Sequence, residues 1–493
     1  RHFVALLNDS HCTTLIPVLG TFRCFSCNIF GIHTMPQLNL GSSFNVKQLY
    51  LALWRWHFYA GLFVIPFLLM LTLSGFGMLI AKPVEAFFNP TFTMVDAGAK
   101  PLSAQALLSS VDARYPQFDV KLYIPSTVDT EAAKFVVVSG GGEGHGGHHK
   151  QSLMVYVNPY TGALLGAKDP ADSFYALLET FHGSLFMGDI GDNLIEIASG
   201  LGVLMIISGL YLAWSKSNSP NKTSLFILKS RAGWRRLHRL IGFVIAIPLF
   251  LFLLSGLSWT NIWGGVLVQP WGSLPGTGFE VPKTEITHDA MNEHGAHKVP
   301  WALEQTPLPE SKTAEQTLGL NSIVGIAKGQ GLTHYRIHFP KSERGAWTIS
   351  STTIAGDITN PFTERTVHID QSNGQILADL PFADYPTLGK AMAAFVPLHQ
   401  GDLGWWNWLV NVFLLLVILA MMVSGVMIWI KRRPKKRFQL APPSVASQGH
   451  YTVFGIMFII SLCFPLSALA LGVIIVVDFL LISRSRQLKR LLK

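Results

Sequence analysis

Two histidines, His57 and His238, stand in copies of one local pattern. Each follows an Arg by two residues (Arg55, Arg236) and precedes a Gly by four (Gly61, Gly242). A Ser-Gly pair comes seventeen and eighteen residues later (Ser74-Gly75, Ser255-Gly256). Each histidine opens an apolar run long enough to cross a bilayer, since about 20 residues at 1.5 Å each span its core. An ionisable side chain there is costly and is expected to face the bundle interior or a bound group. Glycine at i+4 lies one turn along on the same face, and its missing side chain leaves room for something flat beside the imidazole. Two such histidines meeting from two helices suit the axial ligation of a haem iron. One histidine alone would be read as bonded to a neighbouring helix; the duplication with its matched glycine favours haem.

A second pair follows from the same repeat. His182 precedes Gly188-Asp189 and His399 precedes Gly401-Asp402, each just before an apolar run that returns across the membrane. If a symmetry axis brings His57 to His238 at one membrane face, it brings His182 to His399 at the other. Two haems stacked across the bilayer, passing electrons between its sides, are the expectation. Arg55 and Arg236 are placed either to meet haem propionates through charge-assisted hydrogen bonds or to anchor the helix ends by snorkelling. A third candidate is the glycine-rich loop carrying His145, His148 and His149, a tract able to bind a metal, or else a His-rich hairpin loop. Cys24-x-x-Cys27, with His11, Cys12 and His33 nearby, is a weak thiol or metal signal; residues 1–34 are expected to be an extension without a role.

The elements that must position these residues are set by composition. Of 493 residues, 49% are hydrophobic and only 14% charged, with mean hydropathy +0.36. This describes an α-helical membrane protein with sizeable polar insertions, too long for one compact domain. The net charge of +9 does not point to nucleic acid, because the basic residues crowd beside membrane segments in the manner of loops retained in the cytoplasm. Four cysteines make no disulfide framework.

Membrane helices are expected at 51–80, 193–214, 236–260 and 405–430, joined by basic cytoplasmic loops at 215–235 and 431–450. Outside segments occupy 81–190 and 261–404. In the first, Ser103–Tyr115 reads as helix and Phe118–Ile124, Lys134–Ser139 and Ser152–Val157 as strands, ending in the turn Asn158–Gly162. In the second, Thr317–Lys328 reads as helix and Thr333–Phe339, Ala346–Ser351 and Thr366–Asp370 as strands, with a turn at Asp370–Gly374. The apolar run 451–482 is broken by Pro465 and is expected to form one kinked helix, a re-entrant segment being the alternative. The order helix, small α+β domain, His, helix occurs twice in one orientation, which implies a pseudo-twofold axis along the membrane normal. No Gly-x-Gly-x-x-Gly follows a strand in the short cytoplasmic loops, so a nicotinamide or flavin domain is not expected and the electron donor must be a separate molecule.

Three stretches resemble a known family: Leu53–Gly61, the strand and turn Val155–Gly162, and Leu398–Gly404. They look like the PepSY-associated transmembrane proteins of the bacterial inner membrane, which include iron-regulated ferric-siderophore reductases. The resemblance covers residues 45–435. It implies two small PepSY-like domains in the periplasm and two haems of b type on a four-helix core. It also implies a periplasmic ferric siderophore as substrate; the mechanism expected has that complex dock between the PepSY domains, with a quinol or cytoplasmic reductase as donor. The turn Asp370–Gly374 departs from the aromatic-Thr-Gly form of Tyr160-Thr161-Gly162. Competing readings are a PepSY scaffold that regulates a periplasmic partner, and a permease suggested by the repeat; few polar residues at mid-membrane speak against the permease.

Overall fold

The computed structural model describes residues 46–432 and 447–477, apart from 89, 140–150, 215–229, 276–280, 293–297 and 313–315. The N-terminal extension and its cysteines, and the loop with His145, His148 and His149, lie outside the described residues.

A long apolar run in lipid can satisfy its backbone only through its own i→i−4 bonds, so it forms helix. Among the described residues four helices are long and apolar enough to cross a membrane: α1 (Val46–Phe88), α5 (Asp189–Trp214), α6 (Arg231–Leu257) and α10 (Trp405–Ile430). Helix α1 packs on α5 and α10, and α6 packs on α5 and α10, closing a four-helix core. Large apolar side chains such as Leu73, Ile247 and Phe413 remain exposed on its perimeter, where lipid is the natural cover.

Between α1 and α5 come α2 (Pro90–Thr93), α3 (Ala104–Arg114), β1 (Phe118–Ile124), β2 (Ala133–Ser139), β3 (Ser152–Val157), β4 (Leu164–Lys168) and α4 (Phe174–Ser184). Between α6 and α10 come a π-helix (Asn261–Val268), α7 (Gln269–Gly272), β5 (Lys283–Thr287), β6 (Pro307–Pro309), α8 (Leu320–Gly329), β7 (Arg336–His338), β8 (Trp347–Ser351), β9 (Arg365–Ile369), β10 (Ile376–Pro381) and α9 (Thr387–Gln400).

The two extramembrane segments are one domain rather than the two separate ones expected. Their strands form a single eight-stranded antiparallel sheet in the order β10-β9-β8-β7-β1-β2-β3-β4, joined where Leu122 pairs with His338 and Tyr123 with Ile337. Each half has an edge strand with unpaired backbone groups, and pairing β1 with β7 satisfies both edges at once. Helices α3 and α8 share one core over this seam, with Leu107, Val111, Phe135 and Val155 from the first half and Ile323, Ile337, Ile349 and Val367 from the second. Gln105 ties the helix starts together: its backbone N–H donates to Asn321 Oδ1 and its side-chain oxygen accepts from Leu320 N–H.

Both halves close a hairpin with the same turn despite different residues. Asn158 Oδ1 accepts from the N–H groups of Tyr160 and Thr161, and Asp370 Oδ1 from those of Ser372 and Asn373. Gly162 (φ 70°) and Gly374 (φ 78°) then take the left-handed conformation that a side chain would disfavour. The last apolar run is not one kinked helix. It forms two short helices, α11 (Ser447–Ser461) and α12 (Pro465–Val477), split at Leu462–Phe464, where Pro465 cannot donate into a continuing ladder. They pack on each other and on α5, and α11 also on α1, as a re-entrant pair would.

Candidate functional site

The four repeated histidines meet in two pairs. The ring centroids of His57 and His238 are 6.5 Å apart with planes at 83°, and those of His182 and His399 are 6.3 Å apart at 81°. His57 on α1 and His238 on α6 form the far-side pair, away from the sheet. His182 and His399 sit in the last turns of α4 and α9, two helices the sequence did not reveal, and form the sheet-side pair. These helices run back from the outermost strands β4 and β10 onto α1 and α6.

Each imidazole is held by a serine on a neighbouring helix. His57 Nδ1 lies 3.0 Å from Ser208 Oγ, His238 Nδ1 2.9 Å from Ser424, His182 Nδ1 2.8 Å from Ser74 and His399 Nδ1 2.9 Å from Ser255. A hydroxyl has one hydrogen, and all four serines donate it to their own helix: Ser208 to Met205 O, Ser424 to Met421 O, Ser74 to Met70 O and Ser255 to Leu251 O. With the hydroxyl hydrogen placed on its own helix, each Oγ accepts and each histidine carries its proton on Nδ1. The carbonyl of Phe252, 3.1 Å from His399 Nδ1, demands the same tautomer, since a carbonyl only accepts. That leaves an Nε2 lone pair on every ring, the form that binds metal.

The residue after each serine is a glycine that makes room for the ring. A Cβ on Gly209 would stand 3.1 Å from His57 Cε1, on Gly425 3.4 Å from His238 Cε1, on Gly75 3.4 Å from His182 Cε1 and on Gly256 3.6 Å from His399 Cε1. Ser74-Gly75 and Ser255-Gly256 stand out in sequence through the repeat; Ser208-Gly209 and Ser424-Gly425 are missed, although the same dipeptide was their signal. Gly61 and Gly242 each face a methionine. The space beside them holds the methyl groups of Met205 and Met421, each 3.2 Å from where a Cβ would stand. Thioether chains are the most adaptable apolar neighbours such a space can have.

His182 and His399 are reached by different turns, which explains their unequal spacing from Gly-Asp. After His182 the chain reverses through Leu185 (φ 53°) and Phe186 (φ 56°), left-handed positions that cost strain in a residue with a side chain; after His399 it reverses through Gly401 (φ 82°). Asn411 on α10 donates to the carbonyls of Leu398 and His399, which fixes the end of α9. At the far side, Arg55 reaches Tyr59 Oη at 3.4 Å and lies over its ring, Arg236 is half-buried two residues before His238, and Arg432 at the end of α10 stacks on Trp54 and Phe58.

The donor set fits haem iron. Metal–imidazole bonds of about 2 Å on either side of one ion, with the radius of each ring added, put two trans imidazoles roughly 6.4 Å apart between centroids. Both pairs have that separation. Ser74 is seventeen residues after His57 on α1, and Ser255 seventeen after His238 on α6. The pairs are thus about 25 Å apart along the bundle, close to the depth of a bilayer core.

Among the described residues no group of three or more His, Cys, Asp or Glu side chains is arranged to hold a bare metal ion. Comparison with curated proteins gives no match to the chain. The family comparison does: the model of the PepSY-associated TM region matches residues 54–432, from Trp54, three residues before His57, to Arg432, just past α10. The chain therefore belongs to the PepSY-associated transmembrane family.

Proposed function

We propose that this multi-pass membrane protein is an electron carrier of the bacterial inner membrane that reduces Fe(III) held by siderophores in the periplasm. One b-type haem would be held by His57 and His238 and a second by His182 and His399. The observation that supports this reading is the four imidazoles, each with Nδ1 within 3.0 Å of a serine hydroxyl, in two pairs about 25 Å apart along the helices. When bound, haem supplies one-electron iron chemistry.

The chain's own residues do the rest. Serine bonds to Nδ1 orient each ring and raise the basicity of Nε2. Buried apolar side chains from the four helices, such as Leu204, Ile245 and Leu253, keep water away. In this orientation the sheet domain faces the periplasm and the basic ends of α6 and α10 face the cytoplasm. The hydrogen bonding of β1 to β7 speaks against entry of a ferric complex between two half-domains. It docks instead near α4 and α9, the helices that carry His182 and His399. Delivery of one electron turns Fe(III) into Fe(II), for which hard oxygen ligands have less affinity, and the metal is released. The electron comes from a separate quinol or cytoplasmic reductase.

The test is a spectrum followed by a turnover. Protein purified from haem-replete cells should show Soret and α bands that shift with dithionite. Once reduced and freed of dithionite, it should be reoxidised by a ferric siderophore while a ferrous chelator takes up the iron. A colourless preparation overturns the carrier; haem that stays reduced in the presence of ferric siderophore overturns the substrate.

A further inference from the structure

Glu364, which follows a single 3-10 turn (Pro361–Thr363) and immediately precedes β9, is a buried carboxylate that the electron path above does not use. It is 3% exposed. Its Oε1 accepts from the N–H of Thr353 at 3.0 Å and from the Thr353 hydroxyl, while Oε2 has no protein hydrogen-bond partner. The side chain lines a small pocket together with Trp301, Ile354, Met392, Ala393, Val396 and Pro397.

The walls of that pocket are the two elements that seat His399. Val396 and Pro397 precede His399 on α9 by three and two residues, within one helical turn. Trp301 donates its indole N–H to the carbonyl of Ser258, and Ser258 in turn donates to the carbonyl of Ser255, the serine that holds His399 Nδ1. Apart from Glu364, the pocket-lining side chains from α9 and the Trp301 segment are apolar. The charged or titratable groups around the carboxylate are Asp357, itself paired with Arg336 at 2.7 Å, and Tyr385, whose buried hydroxyl also lacks a protein partner.

We propose that Glu364 binds a proton when an electron is held between His182 and His399 and gives it up when the electron leaves, which makes the final transfer proton-coupled. This rests on the haem reading above. The balance is one electron arriving from the far-side pair and one proton from water on the sheet side. Both depart together, the electron to Fe(III) and the proton back to that water. The coupling is electrostatic. Unit charges within roughly two helical turns of each other in a protein interior shift one another's equilibria by about ten-fold. Glu364 is poised for this: burial pushes its carboxyl up to about 7, against the Thr353 bonds that favour the charged form, and Asp357 pushes it the same way as burial. An added electron nearby raises its proton affinity further, so by linkage the sheet-side potential falls as pH rises through and above neutrality.

The full chain loaded with haem is titrated spectroelectrochemically across neutral pH. The His57→Ala protein serves to isolate the sheet-side signal. The expected result is a midpoint that falls with pH in the wild type, is flat in Glu364→Gln, and is unaffected by the substitution at the far-side haem. Infrared difference spectra of wild-type protein should show a carboxylic-acid C=O band that appears on reduction, and Glu364→Gln should lack it. Bound haem with a pH-independent sheet-side midpoint and no such band overturns the proposal while leaving the haem reading intact. A chain that binds no haem overturns both.

Discussion

The ring centroids of His57 and His238 are 6.5 Å apart, whereas those of His288 and His368 in the sheet domain are 4.9 Å apart, with their Nε2 atoms at 2.9 Å. The proton positions account for the difference. His288 donates from Nδ1 to the carbonyl of Thr306 at 2.6 Å, so its Nε2 is bare and accepts from His368 Nε2–H; His368 Nδ1 then accepts from Thr348 at 2.9 Å. One hydrogen sits between those rings. In the membrane pairs both hydrogens are drawn outward to serines, and neither ring has one to offer the other. A pair that shares a proton closes up; a pair whose Nδ1 atoms both turn to serines stays wider apart.

His338, Thr348 and His368 are neighbours in register across β7, β8 and β9, on the sheet face opposite the shared core, and His288 from the insertion Lys283–Pro309 covers them. Burial pulls His288 down to about 4, against the Thr306 bond and Asp289, and pulls His338 down to about 3, helped by Arg336, Lys341 and His288. Here imidazole is a neutral fastener.

Four experiments break or sharpen this contrast. The largest effect is on haem content. His57→Ala or His238→Ala should remove the far-side haem, His182→Ala or His399→Ala the sheet-side haem, and His288→Ala or His368→Ala neither, as measured by haem per protein. Loss of haem in His368→Ala, or full content in His182→Ala, would erase the distinction. Next is pH. The unfolded His288 binds a proton near 6.5 and the folded one only near 4, so its contribution is complete above 6.5 and is lost as pH falls through that window. The loss amounts to about 3 kcal/mol at 1.36 kcal/mol per pKa unit. Denaturant unfolding of the full chain at several pH values measures it, and His288→Gln should flatten the slope.

Smaller is the serine effect. Ser208→Ala and Ser424→Ala should weaken far-side haem retention by about 10–100-fold, as outer hydrogen bonds to ligating histidines do. Transfer to apomyoglobin reads this, and unchanged retention would mean that the tautomer is set elsewhere. Smallest is Gly209→Ala, whose methyl would stand 3.1 Å from His57 Cε1, against 3.6 Å for Gly256→Ala at His399. The first should shift the electron paramagnetic resonance of the far-side ferric haem by turning a ring; the second should leave the sheet-side signal alone.

The membrane helices and most strands were legible because their signals are local: long apolar runs, and period-two alternation such as Phe135, Val137 facing the core. The four histidines were legible because they repeat. Helices α4 and α9 were not, since eleven and fourteen residues of mixed character before a membrane helix carry no distinctive period. Strands β5 and β6 were missed because they are short, and β6 has proline at both ends. The seam between β1 and β7 has two register pairs joining residues more than two hundred positions apart, and no local pattern encodes a meeting of two edges. Ser208 and Ser424 were hidden in plain apolar context, where a serine usually only bonds its own helix.

That seam has a mechanical consequence. Helix α4 hangs from one end of the strand order and α9 from the other, so His182, the ribbon of eight strands and His399 form a closed clasp whose jaws are two imidazoles. Prising the jaws apart by swinging one half away would tear a β-ladder and split a common interior. The grip on whatever lies between them is as durable as the sheet itself.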